Sequence, residues 1–262
     1  LASLLDRRHR KIALLNLRLA YGGTRDDAEI RRIAADCWAH FGRIVFDALS
    51  FPRLTVASAG SVVRYEGVEH VRAAYARGKG VLLFSGHYGH WELVALMQGY
   101  LGMPLVLVTR PLDNPRLERM LSGLRSGSGN VIIHKRNAVR EMLKALHRGI
   151  GAAIVIDQDA RDQGIFVPFL GRPASTTPTL ALLALRTGAA VVPVFSEPLP
   201  QGAWRVVYEP EVAYRDTGDR DADVMRLTAD CTAALERWVR RRPELWLWMH
   251  RRWKTEPPER RS

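Results

Sequence analysis

The stretch "GVLLFSGHYGHWELVALMQGYLGMPLVLVTR", residues 80–110, carries the reading of the fold. It holds two short apolar runs, "VLLFS" and "LVLVT", separated by a segment that reads as a helix over 90–101. Neither run alternates apolar with polar residues, so each suits a strand covered on both faces. Two such strands with a helix between them form the unit of a parallel sheet. The pattern continues in both directions. Upstream lies "SVVRY" (61–65). Downstream lie "NVIIH" (130–134), "GAAIVID" (151–157) and "AAVVPVF" (189–195), with "WRVVYEP" (204–210) as a further strand. Helices are predicted at 67–77, 114–125, 137–147, 178–187 and 220–242. The expectation is an α/β fold: a single domain with a mainly parallel central sheet flanked by helices. Residues 1–20 and 26–50 read as two more helices, the first of them basic. The chain is therefore divided into a helical N-terminal extension (1–55) and an α/β domain (56–262).

Composition narrows the class. With 262 residues, 47% of them hydrophobic, the chain can bury a large core and is not a disordered polymer. The formal net charge of +12 has to sit on the surface and implies an anionic partner: nucleic acid, a phospholipid surface or a phosphorylated substrate. Cys37 and Cys231 lie far apart and form no Cys-x2-Cys pair, so they read as buried free thiols. The most apolar stretch, "PTLALLALRTGAAVVPVF", is interrupted by Arg186, Gly188 and Pro193 and does not read as a membrane span. The chain starts at Leu1, which leaves room for an upstream anchor segment.

Four polar residues stand just past the ends of apolar runs: His87, Arg110, His134 and Asp157. In an open parallel sheet these ends line the ligand crevice, so the four are expected to gather along one edge. Within "SGHYGHWEL", Gly86 permits a tight exit from the strand. His87 then lies in the turn and Glu92 in the first turns of the following helix. A carboxylate so placed can fix a histidine's tautomer and stabilise its charged form. Ser85 is near, but no Gly-x-Ser-x-Gly elbow surrounds it. A histidine–carboxylate pair without a nucleophile can instead activate a substrate hydroxyl. A metal reading of His87 and His90 lacks a clear third ligand.

His87 and Glu92 together resemble the His-x4-Asp/Glu signature of the glycerolipid and lysophospholipid acyltransferase superfamily. The wider chain resembles its lipid A lauroyl/myristoyl branch. The likeness runs through "LDRRHRKIALLNL" (5–17), "SGHYGHWEL" (85–93), "VTRPLDNPRLE" (108–118), "DQDARDQGIFVPFLGRPASTTP" (157–178), "ALRTGAAVVPVF" (184–195) and "WLWMHRRWKTEPP" (246–258). One departure is His90, where that branch usually has Asn. The resemblance implies that His87 is the general base and that Glu92 orients it. It implies acyl transfer from an acyl carrier protein or coenzyme A thioester to a hydroxyl of a glycolipid such as a lipid A precursor. The hydroxyl would attack directly, without an acyl-enzyme and without a metal or other cofactor. Substrate contacts are expected from Arg110, Asp157, Gln158 and Arg161, the arginines facing phosphate. A phosphatidylinositol mannoside or another lysolipid is an alternative acceptor.

Two further segments bear on the partner. In "GIFVPFLGRP", Phe166 and Phe169 belong to a loop too apolar for ordinary exposure, which could line an acyl channel, touch lipid or fold onto the core. In the tail, Trp246, Trp248 and Trp253 alternate with His250, Arg251, Arg252 and Lys254. That mixture suits a membrane interface, single-stranded nucleic acid or internal tryptophan packing. The family likeness favours an anionic membrane surface at the cytoplasmic face of the inner membrane, and no nucleic acid. A basic nucleic-acid-binding protein is the rival from another class, but no recognition motif of that kind is visible. A metal-dependent esterase is the third reading.

Overall fold

In a computed structural model describing residues 6–51, 54–109, 115–134 and 138–258, every apolar run read as a strand is one. These are β1 (Val63–Glu66), β2 (Val81–Ser85), β3 (Leu105–Thr109), β4 (Val131–His134), β5 (Gly151–Val155), β8 (Ala190–Pro198) and β9 (Trp204–Tyr208). They form a seven-stranded sheet in the order β1-β9-β8-β2-β5-β3-β4. The strands β8, β2, β5, β3 and β4 run parallel to one another. β9 turns back antiparallel to β8, and β1 lies parallel to β9.

The helices are α1 (Arg7–Tyr21), α2 (Asp27–Ser50), α3 (Val56–Val62), α4 (Val68–Ala76), α5 (Trp91–Tyr100), α6 (Pro115–Gly127), α7 (Ala138–His147), α8 (Thr179–Thr187) and α9 (Arg220–Arg241). The central strand β2 shows why they cover both faces. Its burial is complete at all five positions, and successive side chains point to opposite sides. Leu82 and Phe84 enter one core with residues of α1, α2, α7, α8 and α9, while Val81 and Leu83 enter a second with residues of α3, α4 and α5. Each side chain of this kind contributes roughly 1.5–3 kcal/mol on full burial.

The two N-terminal helices are built into this body. Asn16 donates to the carbonyls of Trp248 (2.8 Å) and His250 (2.6 Å), and Cys37 Sγ donates to the Trp246 carbonyl at 3.2 Å. The buried face of α1 is Ile12, Ala13, Asn16, Leu17 and Tyr21, whereas Leu15 is exposed. Asp26 caps α2 by accepting from the Glu29 backbone N–H at 2.8 Å.

One element departs from the sequence expectation. The apolar loop is an antiparallel hairpin, β6 (Ile165–Phe169) with β7 (Arg172–Thr176). Its turn residues, Leu170 and Gly171, have φ of 51° and 78°, the conformation a two-residue hairpin turn demands. Leu170 adopts this left-handed backbone under a bond from its N–H to Glu236 Oε2 at 2.7 Å. The hairpin lies on α9 and Phe169 is fully buried, its ring stacked on Trp253 and edge-on to Trp246. The alternative in which Phe169 touches lipid is therefore overturned. Trp246 and Trp248 are buried as well, so the tail is an internal aromatic cluster rather than an exposed belt.

Candidate active site

β2 and β5 are neighbours in register, with Ser85 opposite Val155. The pairing continues one step further, as the Ile156 N–H donates to the Ser85 carbonyl at 3.1 Å. The next residues on each chain leave the sheet together, which sets His87 beside Asp157. His87 Nδ1 lies 2.8 Å from Asp157 Oδ1, and the His87 backbone N–H donates to Asp157 Oδ2 at 2.7 Å. The Trp246 indole N–H donates to the same Oδ2, also at 2.7 Å. The turn that allows this geometry depends on its glycines. A Cβ on Gly86 would meet Leu235 at 2.7 Å and Asp157 Oδ2 at 3.0 Å. Gly89, at φ +58°, sits so close to the Ser196 carbonyl that no side chain fits.

With the Nδ1 proton held by the carboxylate, the His87 lone pair is on Nε2. That nitrogen is 3.5 Å from Gln158 Nε2, and the side chain keeps 18% of its surface exposed. Burial alone would lower the His87 pKa. The charge of Asp157, its hydrogen bond and the charge of Glu92 outweigh burial and raise it above the ordinary histidine value. Asp157, 4% exposed, would be pushed up by burial. The His87 charge and the three hydrogen bonds instead hold it well below the usual carboxylate range. So held, the imidazole can accept a proton at Nε2 while the carboxylate fixes its tautomer, and the Trp91 ring closes one side edge-on at 5.1 Å from the imidazole.

The carboxylate bonded to the His87 ring is thus Asp157 and not Glu92, to which the resemblance gave the orienting role. Glu92 is turned to α6, where Arg125 grips its two oxygens at 2.9 and 2.5 Å. A helix carries a residue at its second position along the helix flank, while the neighbouring strand delivers Asp157 directly to the imidazole. Glu92 reaches His87 through its charge alone.

Residues 1–255 match the family described as bacterial lipid A biosynthesis acyltransferase. The chain belongs to that family. Its relatives include a lipid A biosynthesis lauroyltransferase of Escherichia coli (strain K12), 29% identical over 194 residues that cover 73% of this chain and 61% of the relative. A lipid A biosynthesis palmitoleoyltransferase of the same strain is 28% identical over 195 residues, again 73% and 61%. A phosphatidylinositol mannoside acyltransferase of Mycolicibacterium smegmatis (strain ATCC 700084 / mc(2)155) is 25% identical over 162 residues, 60% of this chain and 53% of the relative. The matches thus span about three fifths of the length of the lipid A relatives.

In this acyltransferase-family chain the other expected site residues fall as follows. Gln158 is beside His87 Nε2. Arg161 is exposed on the adjoining loop in a left-handed conformation, φ 55°, its N–H bonded to Asp159 and its carbonyl to the Ser175 hydroxyl. Its guanidinium forms no ion pair among the described residues. Phe166 is half-buried on β6. Arg110 lies outside the described residues. His134 ends β4 as expected.

His90 is structural. It is fully buried, caps α5 by accepting from the Leu93 N–H at 3.3 Å, stacks on Phe51 and meets Trp204 edge-on. Burial pushes its pKa down to about 3. Both cysteines are buried and unpaired, and burial raises both thiol pKa values, that of Cys37 to about 12.

Sequence reasoning counted Asp157 among the substrate contacts and did not foresee its bond to His87, nor the contacts of Trp246 with Asp157 and of Arg125 with Glu92. The signal for Asp157 was present: it stands two residues past β5 as His87 stands two past β2. Nothing local signalled the other two, because their partners are 89 and 33 residues away.

Proposed function

We propose that this protein transfers a fatty acyl chain from a thioester to a hydroxyl of a glycolipid acceptor. The observation that carries the reading is the His87–Asp157 pair, with Nε2 facing out at the carboxyl edge of the sheet. In this reading Nε2 takes the proton of the acceptor hydroxyl as its oxygen attacks the thioester carbonyl carbon. Asp157 stabilises the imidazolium that forms. The tetrahedral intermediate expels the thiolate as the C–S bond breaks, and the imidazolium returns the proton to sulfur. Direct transfer without an acyl-enzyme is supported by the surroundings of Nε2. Gln158 is its neighbour, Ser85 Oγ is buried with no hydrogen-bond partner, and both thiols are remote from ionisation. The exposed Arg161 suits a phosphate of the acceptor or of the donor's phosphopantetheine.

The lauroyl- and palmitoleoyltransferase relatives favour a lipid A precursor as acceptor, with acyl carrier protein or coenzyme A carrying the chain. The Mycolicibacterium relative supports a mannosylated inositol lipid as the second reading. Such substrates place the enzyme at a membrane surface. No described helix is long and apolar enough to cross a membrane. The test is mass spectrometry of lipids formed from acyl-carrier-protein or coenzyme A thioesters and each acceptor. Wild type should give the acylated product and His87→Ala should lose about 10²–10⁴-fold in rate. Equal product from the two proteins would refute the reading.

A further inference from the structure

The helix α2 has 24 residues against 15 in α1. The two pack on each other through the turn at 22–26, with Arg18 paired to Asp27, as an antiparallel hairpin. At about 1.5 Å per residue, the end of α2 lies roughly 13 Å past the level of Arg7, the first described residue of α1. That end bears most of the large apolar side chains that the described surface leaves bare along these helices: Val45 is 63% exposed, Phe46 77% and Leu49 56%, with Val56 of α3 at 65%. Ala39 and Gly42 extend the face toward the hairpin. From Ile44 to Val63 the only charged residues are Asp47 and Arg53, in a chain that is 25% charged. Asp47 is itself engaged, by the Trp204 indole N–H at 2.9 Å and by Arg43 at 3.4 Å.

A patch of this composition needs an apolar partner, and its flanks indicate which. The antiparallel hairpin brings the exposed Arg7 and Arg8 to the level of α2 about one turn before Val45, with the exposed Arg10 and Lys11 a further turn back. None of the four forms an ion pair among the described residues. Asp6 is held by His9, and Asp36 falls level with Lys11, leaving Arg7 and Arg8 nearest the apolar end. An apolar tip with a basic collar matches a bilayer interface, where acyl chains receive Phe and Leu while anionic headgroups meet Arg and Lys. The patch also adjoins the site. Phe41 of α2 lies 5.7 Å from the Trp91 ring, and Trp91 lies 5.1 Å from His87.

We infer that the end of α2 and the start of α3 form the face by which this protein enters an anionic lipid surface, with Phe46 and Leu49 as its inserted side chains. This rests on the lipid-acyltransferase reading and goes beyond it by naming the face. Docked this way, a lipid acceptor reaches His87 without leaving the interface.

Flotation of the whole chain with phosphatidylethanolamine–phosphatidylglycerol vesicles, at low and at high salt, tests it. Salt screens the basic collar but not apolar insertion, so wild type should keep a salt-resistant bound fraction. The pair Phe46→Ser and Leu49→Ser should reduce that fraction at least about tenfold. Met225→Ser, at an exposed apolar residue on α9, should leave it unchanged. Turnover on an acceptor dispersed in detergent should be equal in wild type and double variant. Unaltered salt-resistant flotation of the double variant would overturn the inference. So would a wild-type dimer in sedimentation that the same changes convert to monomer, since the face would then be a contact between copies. Failure of wild type to acylate the detergent-dispersed acceptor would instead refute the proposed function, a result independent of flotation.

Discussion

Trp246 donates its indole N–H to the same oxygen of Asp157 that receives the His87 backbone N–H, both at 2.7 Å. The carboxylate therefore reaches the His87 ring already fixed by two donors, one from the loop it serves and one from the far end of the chain. Its other oxygen is left for the imidazole.

Asp157→Asn keeps the shape and removes the charge that raises His87. It should cost about 10²–10⁴-fold in turnover, because the amide no longer stabilises the imidazolium and can favour the wrong tautomer. Glu92→Gln should cost much less, since that carboxylate is bonded to Arg125 and not to the ring. The His87 titration followed by NMR should move down in both variants and further in Asp157→Asn. The reverse order would restore the orienting role to Glu92.

The raised pKa of His87 sets the acid limb of the rate profile. The base works only when neutral, so kcat/KM should fall as pH drops through the His87 pKa, with the limb above the ordinary value of 6.5. Asp157→Asn should shift that limb toward acid. A wild-type limb below 6.5, with chemistry rate-limiting, would contradict the pair's electrostatics.

His90 and His40 make the fold acid-sensitive. Burial lowers their pKa values to about 3 and about 4, while the unfolded chain binds protons near 6.5. Below 6.5 the unfolded state therefore holds more protons, and stability falls as pH drops toward the folded values. His90→Asn keeps the helix cap that His90 provides. It should remain active, lose about 1–2 kcal/mol at neutral pH from the vacated space between Phe51 and Trp204, and lose less than wild type between pH 7 and 5. Urea midpoints at the two pH values check this, and identical acid losses would remove His90 from the account.

Phe169 belongs to the core and Phe166 does not. Phe169→Ala should lower stability by about 3–5 kcal/mol, from the gap left between Trp246 and Trp253. Phe166→Ala should cost far less. Urea denaturation monitored by tryptophan fluorescence separates them, and a small effect at Phe169 would contradict its burial.

The sequence by itself determined the sheet. The strands are short runs of four to nine residues, most of them rich in Val, Leu or Ile, and in the central β2 and β8 burial on both faces removes the polar alternation. The order of residues also put His87 and Asp157 at the carboxyl edge of the sheet, since both follow strand ends directly. The tertiary structure decided which carboxylate meets His87. Glu92 is nearer in sequence, yet the sheet order places β5 beside β2 and so brings in Asp157 from 70 residues away, while α5 carries Glu92 to Arg125. It likewise decided which aromatic residues face solvent. Composition cannot distinguish the apolar hairpin and tryptophan tail, which pack inward, from the end of α2, which stays bare. The difference lies in what each segment packs against. β6 has α9 beneath it, whereas the last turns of α2 lie past Arg7, where the described part of α1 begins.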